Sequence, residues 1–164
     1  AFGAGDVFFA PTEIPNAVIG AKGCSKLIGI GIIDQADQGL DLTFVFMQVS
    51  TALGTVNVAP NIADGDLETA AIQGIVSVDF STCDVDLTAS QAAYFGGSGG
   101  TAGVQQLPLL LQAASGTSSI YVSAIVNNTP KKSLQPSPIC SAFCKHPEAP
   151  GPPVKRFEIP WPYS

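Results

Sequence analysis

The stretch DLTFVFMQV at residues 41–49 has the clearest strand pattern of this chain. Its β-branched and aromatic side chains follow one another almost without polar interruption, which is typical of a strand buried on both faces. Four further segments have a similar length and character: LIGIGIIDQ (27–35), IQGIVSVDF (72–80), LPLLLQAA (107–114) and SSIYVSAIVN (119–128). Turn-forming clusters such as GGSGG (96–100) and SGTS (115–118) separate them. The sequence therefore predicts an all-β fold: a β-sandwich, a jelly-roll-like domain or a barrel.

One short helix interrupts the β pattern. In APNIADGDLETAAIQG (59–74), Asp64 is the expected N-cap, and Asp66 and Glu68 favour the positive end of the first turn. We predict a helix at about 65–71. The same carboxylates superficially resemble a calcium loop, but the glycine and glutamate that an EF-hand requires are not at the matching positions.

The charge distribution divides the chain near Thr129-Pro130. Residues 1–129 carry eleven acidic and two basic residues, for −9, whereas residues 130–164 carry two acidic and five basic residues, for +3; together they give the total of −6. Nine of the thirteen prolines lie in this last segment, and proline removes backbone hydrogen-bond donors. We predict a β-sandwich domain at 1–129 and an extended, basic, proline-rich C-terminal arm at 130–164.

The overall composition excludes several classes of protein. With 164 residues the chain is long enough for one domain, and its acidic balance argues against a nucleic-acid partner. No run of about 18 apolar residues is present, so we expect no membrane span. Hydrophobic residues make up 46% and charged residues only 12%, which indicates that part of the surface contacts other subunits.

Catalytic signatures are missing from the sequence. The single histidine, His146, lies in the proline-rich segment, which offers no rigid scaffold for a nucleophile and its base. The G-x-S-x-G pattern occurs only as GGSGG (96–100), without a helical pattern after it, and no phosphate-binding loop is found. We therefore expect neither an enzyme nor a cofactor.

The four cysteines leave their pairing open. Cys140, Cys144 and His146 are spaced awkwardly around one ion, and a fourth zinc ligand would have to come from distant Cys24 or Cys83. We expect no metal. A Cys140–Cys144 disulfide is sterically feasible if the segment forms a tight turn, and Cys24 and Cys83 could pair across strands. Four cysteines allow three connectivities, and reduced thiols remain an alternative.

The C-terminal sequence VKRFEIPWPYS (154–164) has the pattern of a docking segment. Its apolar side chains recur at every second residue, which suits an extended strand that lies in a groove or adds to a sheet edge. Aromatic residues and arginine are frequent binding hot spots. The predicted anchors are Lys155, Arg156, Phe157, Ile159, Trp161 and Tyr163. The segment contacts either a neighbouring subunit or its own domain.

Two stretches resemble a group of phage virion proteins. Residues 41–78 combine the strand DLTFVFM with an LGT-x-N-x-AP-x-I-x-D turn, carried here by Leu53-Gly54-Thr55, Asn57, Ala59-Pro60, Ile62 and Asp64. Residues 107–126 add a strand, the turn SGTSS and a second strand. The chain resembles the capsid decoration (cement) proteins of tailed bacteriophages over about 25–129; residues from Pro130 onwards have no counterpart in that pattern.

The resemblance implies a structural virion protein on the outer capsid surface, synthesised in the host cytoplasm. It implies a homotrimer that binds the major capsid protein and stabilises the shell, and it transfers no catalytic residue. The alternative is a β-sandwich module of a virion fibre or spike that binds a host-surface glycan. Exposed aromatic residues suit such a site, and Tyr94, Phe95 and Tyr121 are the candidates.

Overall fold

The protein is described from a computed structural model. The structure describes residues 2–35, 37–80, 85–86, 90–96, 107–128, 138–145 and 155–159. The strands are β1 (Val7–Ile14), β2 (Cys24–Asp34), β3 (Leu42–Met47), β4 (Ile72–Val78), β5 (Val85–Asp86), β6 (Gln91–Gly96), β7 (Leu109–Gln112), β8 (Ile120–Val126), β9 (Pro138–Lys145) and β10 (Lys155–Ile159), and the helix α1 spans Asp64–Ala70.

In the described residues, ten strands form two antiparallel sheets. The first sheet has the order β1-β8-β3-β4, and the second has the order β10-β9-β2-β6-β5. Strand β7 also pairs with β2, at residues 24–27, so that β6 and β7 follow one another along the same edge of β2. The prediction of an all-β sandwich with one short helix is confirmed.

The main core fills the space between the sheets. Its largest side chains come from the inner faces of β1, β2, β3 and β8, including Phe9, Ile30, Phe44 and Ile120, each at most 2% exposed. Strand β3 also buries its other face, because Val45 and Met47 belong to a second apolar cluster on the far side of the first sheet. The predicted burial of this strand on both faces is confirmed.

The helix begins one residue earlier than predicted, and its cap differs. The N-cap is Ala63, which has extended backbone angles and no side-chain capping bond. Asp64 is therefore the first helical residue and not the N-cap. Together with Asp66 it places negative charge in the first turn, near the partial positive charge of the helix start. The helix ends at Ala70. The C-cap, Ala71, has a left-handed φ of 46°, and its N–H donates to the Glu68 carbonyl.

A glutamine side chain joins the two sheets at one side of the sandwich. The Gln73 Nε2 group on β4 donates to the Gln112 carbonyl at 2.6 Å, and the Gln112 N–H donates to Gln73 Oε1 at 3.0 Å. The side-chain amide thus bonds to β7 as a neighbouring strand would. Gly74 follows directly, and a Cβ atom there would overlap the Leu109 side chain, so glycine permits the close approach of the two sheets.

Two segments of the predicted arm are strands of the second sheet. Strand β9 pairs with β2 from Lys26–Lys145 to Asp34–Pro138, and β10 pairs with β9. Cys140 and Cys144 lie in the single strand β9, four residues apart. Extended residues advance about 3.4 Å each, so the two Cα atoms are roughly 13 Å apart. A disulfide needs less than about 7 Å. The tight turn on which a Cys140–Cys144 disulfide depends is therefore not formed, because the segment is a strand; the pairing of the four cysteines stays a prediction.

Within the described part of the chain, no helix has the length and apolar character required to cross a membrane.

Candidate docking surfaces

Residues 48–71 leave the first sheet after β3 and return at β4, and we call them the excursion. Two buried side chains, Leu53 and Ala70, hold it against Val7, Val45 and Met47 on the outer face of that sheet. Backbone bonds fix its middle and join its ends: the Val7 N–H donates to the Val58 carbonyl at 2.9 Å, and the Gln48 N–H donates to the Ala70 carbonyl at 3.1 Å. The excursion is therefore part of the folded domain and covers an otherwise apolar sheet face.

The local geometry explains the residues of the L-G-T-x-N turn. Leu53 is the buried anchor. Gly54 has a φ of 154°, and a Cβ atom there would lie 3.0 Å from the Asn61 backbone nitrogen. Asn57 has a φ of 64°, a left-handed conformation that asparagine adopts more readily than most residues. Leu53, Gly54 and Asn57 therefore determine the backbone shape of the turn. The residues between and after them face outward and form the surface.

The outer side of the excursion is apolar and acidic. From Asn57 to Thr69 only Ile62 is half-buried, and all other residues are exposed. Val58 is 53% exposed and Leu67 is 43% exposed. The helix adds three exposed carboxylates, Asp64, Asp66 and Glu68. No lysine or arginine occurs in the sequence from residue 27 to residue 130, so this stretch contributes no cation of its own to offset them.

A second exposed apolar surface lies on the outer face of the second sheet. Its centre is Tyr94 on β6, which is 53% exposed and pairs with Gly31 on β2. A Cβ atom at Gly29 would overlap the Tyr94 hydroxyl, and one at Gly96 would lie 2.6 Å from a carbon of the ring. Because Gly29 and Gly96 are cross-strand partners, the ring lies against the backbone of both strands.

Exposed aliphatic side chains lie on the same sheet as this tyrosine. Ile33 and Val85 both pair with Ala92, which lies two residues before Tyr94 on β6 and therefore on the same sheet face. Ile33 is 38% exposed and Val85 is 45% exposed. Leu110 on β7 is 59% exposed. We call the surface formed by Tyr94, its glycines at 29, 31 and 96, and Ile33, Val85 and Leu110 the tyrosine face. Its exposed aliphatic and aromatic side chains have the composition of an interface centre.

The other two candidate aromatic residues are packed into the fold. Phe95 is half-buried against the main core and meets Phe80 edge-on, with ring centroids 6.4 Å apart. Tyr121 is half-buried against the second apolar cluster. Of the three aromatic residues considered for a glycan site, Tyr94 is therefore the exposed one.

The predicted docking anchors are partly placed by the structure. Lys155, Arg156, Phe157 and Ile159 lie on β10, whereas Trp161 and Tyr163 lie outside the described residues. By backbone register, Lys155 is opposite Cys144, and Lys26 is opposite Lys145. Basic residues of three strands, β2, β9 and β10, therefore occur at the same end of the second sheet.

The candidate cysteines and metal ligands do not form a cluster within the described residues. Cys24 at the start of β2 is half-buried with a free thiol, and Cys83 and His146 lie outside the described residues. In the segments that the structure describes, no three His, Cys, Asp or Glu residues are grouped as metal ligands would be.

One buried carboxylate has a structural role that the sequence analysis did not predict. Asp34, at the end of β2, is 2% exposed. Its Oδ2 atom accepts hydrogen bonds from the backbone N–H groups of Gln38 at 2.7 Å and Gly39 at 2.8 Å. The aspartate thereby shapes the loop that leads from β2 into β3. In the sequence, only the alternation of inward and outward residues along β2 indicates that residue 34 points inward.

Comparison of the chain with protein-family models, with curated proteins and with solved structures finds no match.

Proposed function

We propose that this chain is a structural protein that decorates the outer surface of a tailed-phage capsid, binding the major capsid protein as a homotrimer. The observation that carries this proposal is the excursion. The residues that resemble decoration proteins, from Leu53 to Asp64, build the part of it that is both firmly anchored and outward-facing.

The excursion has the properties of a contact surface formed before binding. Leu53 and Ala70 are buried, and the Asn61 N–H donates to the Leu53 carbonyl at 2.9 Å, so the loop is fixed across its base. A surface already held in its bound shape loses less conformational entropy on docking. Its exposed Val58 and Leu67 supply apolar area, and the adjacent carboxylates select a partner surface that carries lysine or arginine.

The fold also has two separate surfaces with exposed apolar side chains. The excursion covers the outer face of the first sheet, and the tyrosine face lies on the outer face of the second. A protein that binds both a shell and its own copies needs two such surfaces, because each copy has neighbours on more than one side. We assign the excursion to the capsid protein.

The test begins with purified virions. Mass spectrometry should find the protein in them, and cryo-electron microscopy should place it outside the shell at local threefold positions. Light scattering of the isolated protein should give three times the chain mass. Absence from purified virions, or a strictly monomeric protein, would contradict the proposal.

Single substitutions then locate the contact. We expect Leu67→Asp to abolish cosedimentation with shells that lack the protein, while the trimer mass stays unchanged. Ile19→Asp is the matched control, because Ile19 is similarly exposed, at 57%, but lies outside the excursion. Equal binding by the two variants would show that another surface contacts the shell.

The alternative is a module that binds a host-surface glycan, and the exposure of Tyr94 is the observation in its favour. An aromatic ring lying against a sheet can stack on a sugar ring. Binding of the full chain to a glycan array that is lost in Tyr94→Ala would support this function. No binding across the array would argue against it.

A further inference from the structure

We propose that Asp34, Asp37 and Gln91 bind a calcium ion at the end of β2, and we call these three residues the aspartate–glutamine cluster. The cluster contains no cysteine or histidine and is therefore distinct from the zinc ligands considered in the sequence. It also lies outside helix α1, whose carboxylates superficially resemble a calcium loop. The inference goes beyond the proposed function and needs neither a capsid nor self-association, so it can fail while the proposed function stands.

One oxygen atom of the cluster is buried without a hydrogen bond. Gln91 is 6% exposed, and its Oε1 atom accepts no hydrogen bond from the part of the chain that the structure describes. The Nε2 group of the same amide donates to Asp37 Oδ1. Only the nitrogen of an amide can donate to a carboxylate, so this bond fixes which way the amide faces. A buried acceptor that the chain leaves unpaired costs stability and points to a bound water molecule or ion.

The strand register brings a second carboxylate to this amide. Asp34 is the direct cross-strand partner of Gln91, so their Cβ atoms are about 4.5–5.5 Å apart on one sheet face. Both side chains are buried, whereas Asp37 is half-buried and leaves one side of the cluster in contact with solvent. A carboxylate has about four lone-pair sites, so Asp34 can accept backbone hydrogen bonds and still bind a cation.

The atoms of the cluster suit calcium better than other common ions. Carboxylate and amide oxygens are ligands of hard cations. Calcium takes six to eight oxygen atoms in a flexible arrangement that includes glutamine carbonyls and water, whereas magnesium demands a near-ideal octahedron and loses its water reluctantly. The hydrogen bond from Gln91 to Asp37 also polarises the amide, which strengthens Oε1 as a ligand.

The charge distribution of the second sheet favours a cation at this end. No lysine or arginine occurs in the sequence from residue 27 to residue 130. Lys26 and Lys145 are paired near the start of β2, eight residues before Asp34, which is about 27 Å along an extended strand. By backbone register, Asp86 on β5 is opposite Gln91. The end of β2 is therefore the acidic end of this sheet, and its field attracts a divalent cation.

Isothermal titration calorimetry of the full chain with calcium chloride tests the site. We expect one ion per chain with a dissociation constant of about 10⁻⁵–10⁻³ M. Calcium at about one hundred times that constant should raise the melting temperature by about 5–10 °C. No binding of calcium by the unaltered chain, or equally tight binding of magnesium, would overturn the proposal.

Substitutions then assign the ligands. Asp37→Asn keeps an acceptor for the Gln91 amide but removes a charge, and Gln91→Leu removes the amide oxygen. Each should weaken calcium binding by about tenfold or more. The matched control is the double variant Asp64→Asn, Asp66→Asn, which removes two exposed carboxylates from α1 and should bind calcium as the unaltered chain does. Loss of binding in the control but not in Asp37→Asn would place the ion at the helix and contradict the proposal.

An NMR titration of the unaltered chain locates the ion without any substitution. Calcium should shift the side-chain amide resonances of Gln91 and the backbone amide resonances of Gln38 and Gly39, which donate to Asp34. The side-chain amide of Gln73 is the internal control. It is also hydrogen-bonded, but to Gln112, which pairs with the first residue of β2, so its resonances should stay in place. Shifts that leave Gln91, Gln38 and Gly39 unchanged would overturn the proposal.

Discussion

Replacing Gln73 tests how strongly one side-chain amide stabilises the contact between the two sheets. The variant Gln73→Ala removes both hydrogen bonds to the Gln112 backbone, at 2.6 and 3.0 Å. A neutral hydrogen bond contributes about 0.5–1.5 kcal/mol to stability, so the expected loss is about 1–3 kcal/mol. For a chain of this size each kcal/mol lowers the melting temperature by about 2–4 °C.

The control for this variant is Gln112→Ala. Gln112 contributes only its backbone N–H and carbonyl to the bridge, so removal of its side chain should leave both bonds in place. We expect this change to cost less than about 0.5 kcal/mol. Urea unfolding at one fixed protein concentration measures both variants, since the stability of a self-associating protein depends on concentration. A Gln73→Ala loss below about 0.5 kcal/mol, or an equal loss for Gln112→Ala, would refute the reasoning.

The variant Gln73→Glu adds a pH dependence with a defined sign. A carboxylate at this position brings an oxygen against the Gln112 carbonyl, whereas a protonated carboxyl can donate to it. The folded state therefore raises the pKa of the introduced carboxyl above the ordinary glutamate value of about 4.3. Its stabilising bond is fully present below that value and is lost as the pH rises through the higher folded pKa. The deficit relative to the unaltered chain should shrink between pH 7 and pH 4; a constant deficit would contradict the predicted geometry.

Three further substitutions test other parts of the structure. Asp34→Ala should cost about 3–6 kcal/mol in urea unfolding, because two backbone N–H groups lose a charged acceptor, and Asp34→Asn should cost clearly less since an amide oxygen can still accept both bonds; equal losses would contradict this role. Phe46→Ala should cost about 3–5 kcal/mol in the same assay, because its side chain is 1% exposed, and a loss below 1 kcal/mol would show that the core does not depend on it. Gly29→Ala should displace the exposed Tyr94 ring, visible as shifted ring resonances in NMR spectra; unchanged ring resonances would show that the ring does not lie on this glycine.

The sequence identifies the strands that have a clear apolar pattern of their own. Strands β3, β4, β7 and β8 fall within predicted segments, and β2 overlaps one but begins three residues before it, at Cys24. Continuous or alternating apolar residues mark burial regardless of which strands pair. Strand β1 was missed: VFFAPTEI contains Pro11 and a glutamate, which argue against a central strand but are acceptable at the sheet edge that β1 occupies.

The sequence does not predict features that depend on which strands become neighbours in the sheets. Strand β9, PICSAFCK, consists largely of small side chains, and its pairing with β2 joins residues more than a hundred positions apart. The Gln73 bridge and the glycine floor under Tyr94 arise only after β4 meets β7 and β2 meets β6. The sequence therefore predicted the exposed aromatic candidates as a set but could not choose Tyr94 from among them.

The central position of β2 also has a consequence for biosynthesis. This strand ends at residue 34, yet the strands that pair with its two edges lie at 91–96, 109–112 and 138–145. From residue 34 to residue 145 there are 145 − 34 = 111 residues, which take roughly 6–22 s to synthesise at 5–20 residues per second. During that interval an eleven-residue apolar strand leaves the ribosome with hydrogen-bonding edges still open. Nascent chains on one polysome can pair through such edges, so faithful production depends on translation reaching β9 before neighbouring chains meet.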